Sequence, residues 1–93
     1  MRKPRSISII GRRWFQRSAG NTYHSAQVVV NGEQVHDTGI HYGYGDQYLQ
    51  TAAAWLVEND YLPENARPLS LYCRENGIAF TGFVSDVARE KDL

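Results

Sequence analysis

The chain has 93 residues and a formal net charge of zero, which allows one modest core and argues against a strong non-specific nucleic-acid binder. No stretch approaches the roughly 20 apolar residues of a membrane span, and Met1–Ser6 is basic without the apolar run of a secretory signal. The single cysteine, Cys73, excludes an internal disulfide and reads as a small half-buried apolar residue in a cytoplasmic protein with no membrane partner.

The charges are unevenly placed. Residues 1–20 hold Arg2, Lys3, Arg5, Arg12, Arg13 and Arg17 with no acid, whereas 21–60 hold Glu33, Asp37, Asp46, Glu58 and Asp60 with no Lys or Arg. The basic first fifth is therefore available to a phosphate-bearing ligand, or to the chain's own acids.

In chain order, Ser6–Ile10 alternates as a strand does, and Gly11 interrupts it before Arg12-Arg13-Trp14-Phe15-Gln16. Without a bulge at Gly11, Ile7, Ile9, Arg13 and Phe15 share a face; with one, Ile7, Ile9, Arg12 and Trp14 do. Both arrangements set an arginine beside a large aromatic. Ser18–Asn21 is a turn, and Thr22–Val30 the second strand. Asn31-Gly32 is the strongest hairpin signal, a type I′ turn into Gln34–Thr38 that sets Val28 opposite Val35 and Ala26 opposite Asp37.

Gly39 precedes an aromatic, glycine-broken loop, His41–Asp46, that feeds the long helix. Asp46 has the chemistry of an N-cap. Leu49, Ala52, Ala53 and Leu56 form one apolar stripe flanked by Tyr48 and Trp55, and Gln47, Gln50, Thr51 and Glu58 form the solvent side. Leu62–Pro68 is a connector. Leu69–Asn76 supports two readings: a short helix with Pro68 at its first position and Gly77 as its left-handed cap, which we prefer, or a hairpin strand. Ile78–Val87 is the last strand, and Arg89–Leu93 a charged, frayed tail.

The expected architecture is a single domain, 1–93, of α+β class. It has an antiparallel sheet of four or five strands, a β-meander first, packed on one long helix. Its second face stays open, holding several of Tyr23, His24, Trp14 or Phe15, and Val29.

The loop His41–Asp46 presents amides ahead of a helix N-terminus and has tyrosines for stacking, but as a tight turn it needs the same glycines, and we favour the turn. It matches neither a Walker A loop nor a dinucleotide fingerprint. Arg12, Arg13 and Arg17 with Trp14 and Phe15 fit a single-strand binder's basic aromatic strand, or a charged edge strand. No RNP, KH or zinc-knuckle spacing accompanies them. His24, His36, His41 and Cys73 lack paired metal-ligand spacing, and a Cys73–His–Asp37 nucleophile system lacks any local signature.

Gly11–Phe15, Gly20–His24, Asn31-Gly32, Tyr42–Ala52 and Phe83–Asp86 together resemble small uncharacterised proteins of bacteriophage and gut metagenomes. The resemblance covers most of the chain and carries no residue-by-residue activity. It implies a small phage-borne (viral) protein of the host cell cytosol that acts by binding, for instance against a host defence complex or its nucleotide signal.

The leading expectation is thus a non-enzymatic binding protein for a nucleotide or short nucleic acid, with no metal and no cofactor. Arg12, Arg13 and Arg17 supply charge; Trp14, Tyr23, His24, Tyr42 and Tyr44 line the ligand; the Gly43–Gly45 amides contact its anion. The alternative is a protein-binding inhibitor of a bacterial defence complex, or a self-associating homo-oligomer, using the open aromatic face.

Overall fold

A computed structural model describes residues 4–93; Arg2 and Lys3 of the basic run lie outside them. The elements are β1 (Ser6–Gln16), β2 (Asn21–Val30), β3 (Glu33–Asp37), β4 (His41–Tyr42), α1 (Gln47–Glu58), α2 (Leu69–Glu75) and β5 (Ala79–Val87), followed by a 3-10 turn, Glu90–Asp92. The fold is α+β, with the expected meander of β1, β2 and β3.

The sheet is mixed, not antiparallel. Its order is β3-β2-β1-β5, with β4 also paired to β2, and β5 runs parallel to β1. The cause is the connection: the chain leaves β4, crosses one sheet face through α1 and α2, and returns on the far side of β1 in the same direction.

The β1–β2 register runs unbroken from Ile7↔Val30 to Gln16↔Asn21, so Gly11 marks no bulge. Ile7, Ile9, Gly11, Arg13 and Phe15 share the helix-covered face, while Ile10, Arg12 and Trp14 share the other. The bulge lies elsewhere. Asn31 (φ 53°) and Gly32 (φ 82°) make the expected two-residue turn, but β2–β3 pairing slips after Val29↔Gln34 to Val28↔His36 and Gln27↔Asp37. Val28 therefore opposes His36 and not Val35, and Asp37 opposes Gln27 and not Ala26. The slip moves Asp37 off the core face, where a carboxylate would be poorly solvated, and brings His36 onto it.

In α1 the buried residues are Tyr48, Ala52, Ala53 and Leu56, with Leu49 partly covered. Asp46 occupies the N-cap position, but its backbone (φ −92°, ψ 16°) is not extended and its carboxylate makes no capping hydrogen bond. The helix ends on Asp60 in the left-handed region (φ 64°), with the Tyr61 amide donating to the Leu56 carbonyl at 2.9 Å.

The segment Leu69–Glu75 is a helix. Gly77 (φ 67°) closes it, with the Ile78 amide on the Cys73 carbonyl at 2.9 Å. Pro68 is its N-cap residue and not its first helical one. The core between sheet and helices is built from Ile7, Ile9, Val28, Val30, Ala52, Leu56, Leu69, Cys73 and Ile78. Cys73 is fully buried, more so than expected, and burial pushes its thiol pKa up.

The expected frayed tail folds back instead. Its 3-10 turn packs on β1, Arg12 Nη1 donates to the Asp92 carbonyl at 3.4 Å, and Arg89 pairs with Asp92 at 3.4 Å. Among the described residues, no helix is long and apolar enough to cross a membrane.

Candidate ligand cleft at the end of the sheet

Beyond the N-terminal end of α1 the helix no longer covers the sheet, and β1 runs on past it. A cleft of about 670 Å³ opens there, lined by Arg13, Trp14, Phe15, Arg17, Thr22, Tyr44, Gly45, Asp86, Val87 and Ala88. Strand alternation sets Arg13 and Phe15 on one face of β1, and the turn after β1 carries Arg17 to the rim. Phe15 is 54% exposed and Tyr44 78% exposed, so two large aromatic surfaces stand at this opening.

Arg13 forms one wall. Its Nε donates to Asp86 Oδ1 at 3.0 Å, Nη2 to Asp86 Oδ2 at 3.4 Å, and Nη1 to the Gly45 carbonyl at 3.2 Å. The side chain thus ties β1 to the end of β5 and to the aromatic loop. With Asp86 largely in water, the pair contributes no more than about 1 kcal/mol of stability. Among the described residues, two of the five Arg13 guanidinium N–H groups are left without an acceptor. Arg17 is exposed and makes no hydrogen bond or ion pair among the described residues. Two cations against one carboxylate leave the cleft with a positive surplus.

The loop is held from beneath by His24, which is 1% exposed. A carbonyl only accepts, so His24 Nδ1–H donates to Gly43 O (3.1 Å), and Nε2 accepts from the Thr51 hydroxyl (2.8 Å). Its ring stacks on His41 at 5.8 Å. Burial lowers the His24 pKa below 6.5; the Gly43 hydrogen bond opposes this and the His41 charge adds to it. Thr51, expected on the solvent side of the helix, is half-buried and braces this ring. Gly43 is buried, with φ 149° and its amide donating to Thr22 O at 2.9 Å. A Cβ there would clash with the Gln47 side chain. Tyr48, packed against Gly11 of β1, has its phenol pKa pushed up by burial and by the Asp46 charge, with Arg13 acting the other way.

The anticipated site residues therefore separate into three groups. Arg13, Trp14, Arg17, Tyr44 and Gly45 line the cleft. Arg12, Tyr23 and Tyr42 lie on the open sheet face with the Trp14 ring, in a row where Trp14 stacks on Tyr23 (6.0 Å) and Tyr23 meets Tyr42 edge-on (5.7 Å). His24 and Gly43 are buried and committed to holding the loop. The row and the cleft meet at Trp14, so both faces of β1 contribute to one end of the molecule. Phe15, grouped from the sequence with Trp14 and the arginines as a basic aromatic strand, also lines the cleft; Thr22, Asp86, Val87 and Ala88 were not among the anticipated site residues. Phe15 was signalled by its period-two spacing from Arg13; the β5 residues were not, because a parallel strand order has no local signature.

Among the described residues, no three His, Cys, Asp or Glu side chains gather in an arrangement that holds a metal ion. Compared with known proteins, the chain matches no family model, no curated protein and no solved structure.

Proposed function

We propose that the protein is a non-enzymatic binding module for a phosphate-bearing ligand, a nucleotide or a short nucleic acid, seated in the cleft at the end of the sheet. The observation supporting this reading is that Arg17, without a partner among the described residues, and Arg13 share one opening with the exposed rings of Phe15 and Tyr44. Guanidinium groups grip phosphate oxygens, and aromatic faces stack on bases without needing a particular sequence. For a ligand longer than one nucleotide, the Trp14–Tyr23–Tyr42 row continues the stacking surface over the edge of β1.

In the phage setting that the sequence resemblance implies, the nucleotide would be a host signal and the protein its sequestering agent. The apolar open face, with Phe83 50% exposed beside Ile10, favours the second reading of a protein-binding or self-associating module.

Fluorescence anisotropy with labelled mononucleotides and short oligonucleotides separates these readings. Binding is expected to weaken steeply as salt rises. Arg17→Glu removes it, and Phe15→Ala or Tyr44→Ala weakens it by about 1–3 kcal/mol per lost stacking contact. Binding unchanged in Arg17→Glu overturns the assignment.

A further inference from the structure

We propose that two copies of the chain pair through the outer edge of β5, antiparallel and in a two-fold register centred on Phe83, joining their sheets into one.

The two edges of the sheet are built differently. The β3/β4 edge is short, carries Glu33 and Asp37, has a bulge next to Val29 and is broken between Asp37 and His41. These are the devices that keep an edge from templating another strand. The β5 edge has none of them. It is nine residues long (AFTGFVSDV), in unbroken register with β1, and holds no Pro, Lys or Arg. Its single charge, Asp86, is matched by Arg13 of the same chain, so two copies meet without net repulsion. The C-terminal turn does not shield the edge, because it folds inward onto β1 through Arg12 and Asp92.

The backbone fixes which groups are on offer. The Ala79 amide donates to the Arg5 carbonyl, so alternate residues from Ala79 face β1, and Phe80, Gly82, Val84 and Asp86 direct their N–H and C=O groups outward. An antiparallel mate centred on Phe83 pairs Gly82 with Val84 of the other copy and Phe80 with Asp86. That arrangement satisfies the outward groups with roughly eight backbone hydrogen bonds. Phe83 then opposes Phe83 of the other copy at a close, non-hydrogen-bonded position on the open face, covering a ring otherwise 50% exposed. An edge of this length buries on the order of 1,000 Å² in total, the low end for specific interfaces. The dimer is therefore concentration-dependent. Its axis at Phe83 lies away from the cleft, and the two share Asp86, whose backbone pairs with Phe80 of the other copy while its carboxylate stays on Arg13.

Sedimentation equilibrium on the full chain is expected to show a monomer–dimer equilibrium that Arg17→Glu leaves intact. Phe83→Lys sets like charges directly opposite each other and abolishes the dimer; because position 83 is exposed, the monomer's circular dichroism stays unchanged. Under mild oxidation Phe83→Cys cross-links roughly tenfold faster than Thr81→Cys, since only position 83 meets its own counterpart across the axis. The native Cys73 is fully buried and does not compete. A protein that stays monomeric across the concentration range overturns the proposal. So does a dimer that survives Phe83→Lys, or equal cross-linking at 81 and 83.

Discussion

The Tyr48 ring packs against the backbone of Gly11: a Cβ at position 11 would stand 2.5 Å from Tyr48 Cδ2 and 2.9 Å from Cγ. The first turn of α1 can approach β1 this closely only because position 11 has no side chain. That contact fixes where the helix begins on the sheet, and therefore where the uncovered end of β1 begins. Gly11→Ala is expected to cost about 1–3 kcal/mol, as overpacking a filled core does. In a Tyr48→Leu background the same change costs less, and a double-mutant cycle by urea denaturation measures the coupling. Additive costs would show that the contact is not what requires glycine.

Gly11 also shows where local reading stops. A glycine inside a strand pattern signals either a bulge or a close backbone approach, and the deciding partner, Tyr48, is thirty-seven positions away in a helix. The Asn31-Gly32 turn was legible because its backbone geometry is set by its own two residues. The register beyond it was not, because the slip at Val28/Val29 is driven by where His36 and Asp37 end up relative to Trp55 and solvent. His36 stacks on Trp55 at 4.3 Å, a long-range contact that outweighs ideal hairpin pairing. The candidate site was half legible for the same reason. Composition drew attention to the arginines and aromatics of β1, but strand alternation splits Arg12 from Arg13, and the parallel β5 brings in Asp86.

Asp60 holds the left-handed conformation after α1 with φ 64°, a position glycine occupies without strain. Asp60→Gly is expected to stabilise the protein by roughly 0.5–1 kcal/mol, whereas Asp60→Val destabilises it by more than that. Thermal denaturation of the two variants checks the order.

His24 makes stability depend on pH. Its native pKa lies below 6.5, so as pH falls through 6.5 the unfolded chain takes up a proton that the folded chain refuses. Stability contributed by the neutral ring is complete above pH 6.5. It falls as pH drops toward the lowered native value and levels off below it. His24→Gln keeps a donor and an acceptor without titrating, and is expected to lose stability at neutral pH but to flatten the slope between pH 7 and 5. An unchanged slope would remove His24 as its source.

Cys73 is sealed in the core on the buried side of α2, and its thiolate is disfavoured by burial. A thiol reagent is expected to label it only as fast as the protein unfolds, with the rate rising steeply in urea. Rapid labelling of native protein would mean that α2 opens locally.

The central claim is that the cleft at the end of β1 takes a phosphate-bearing ligand. Amide chemical-shift mapping during titration with mononucleotides, cyclic dinucleotides and short oligonucleotides at low salt tests it most directly. The account predicts that at least one of these shifts Arg13, Phe15, Arg17, Tyr44, Gly45 and Val87 together, and that added salt reverses the shifts. Silence from every ligand, or shifts confined to the outer edge of β5 around Phe83, would contradict it.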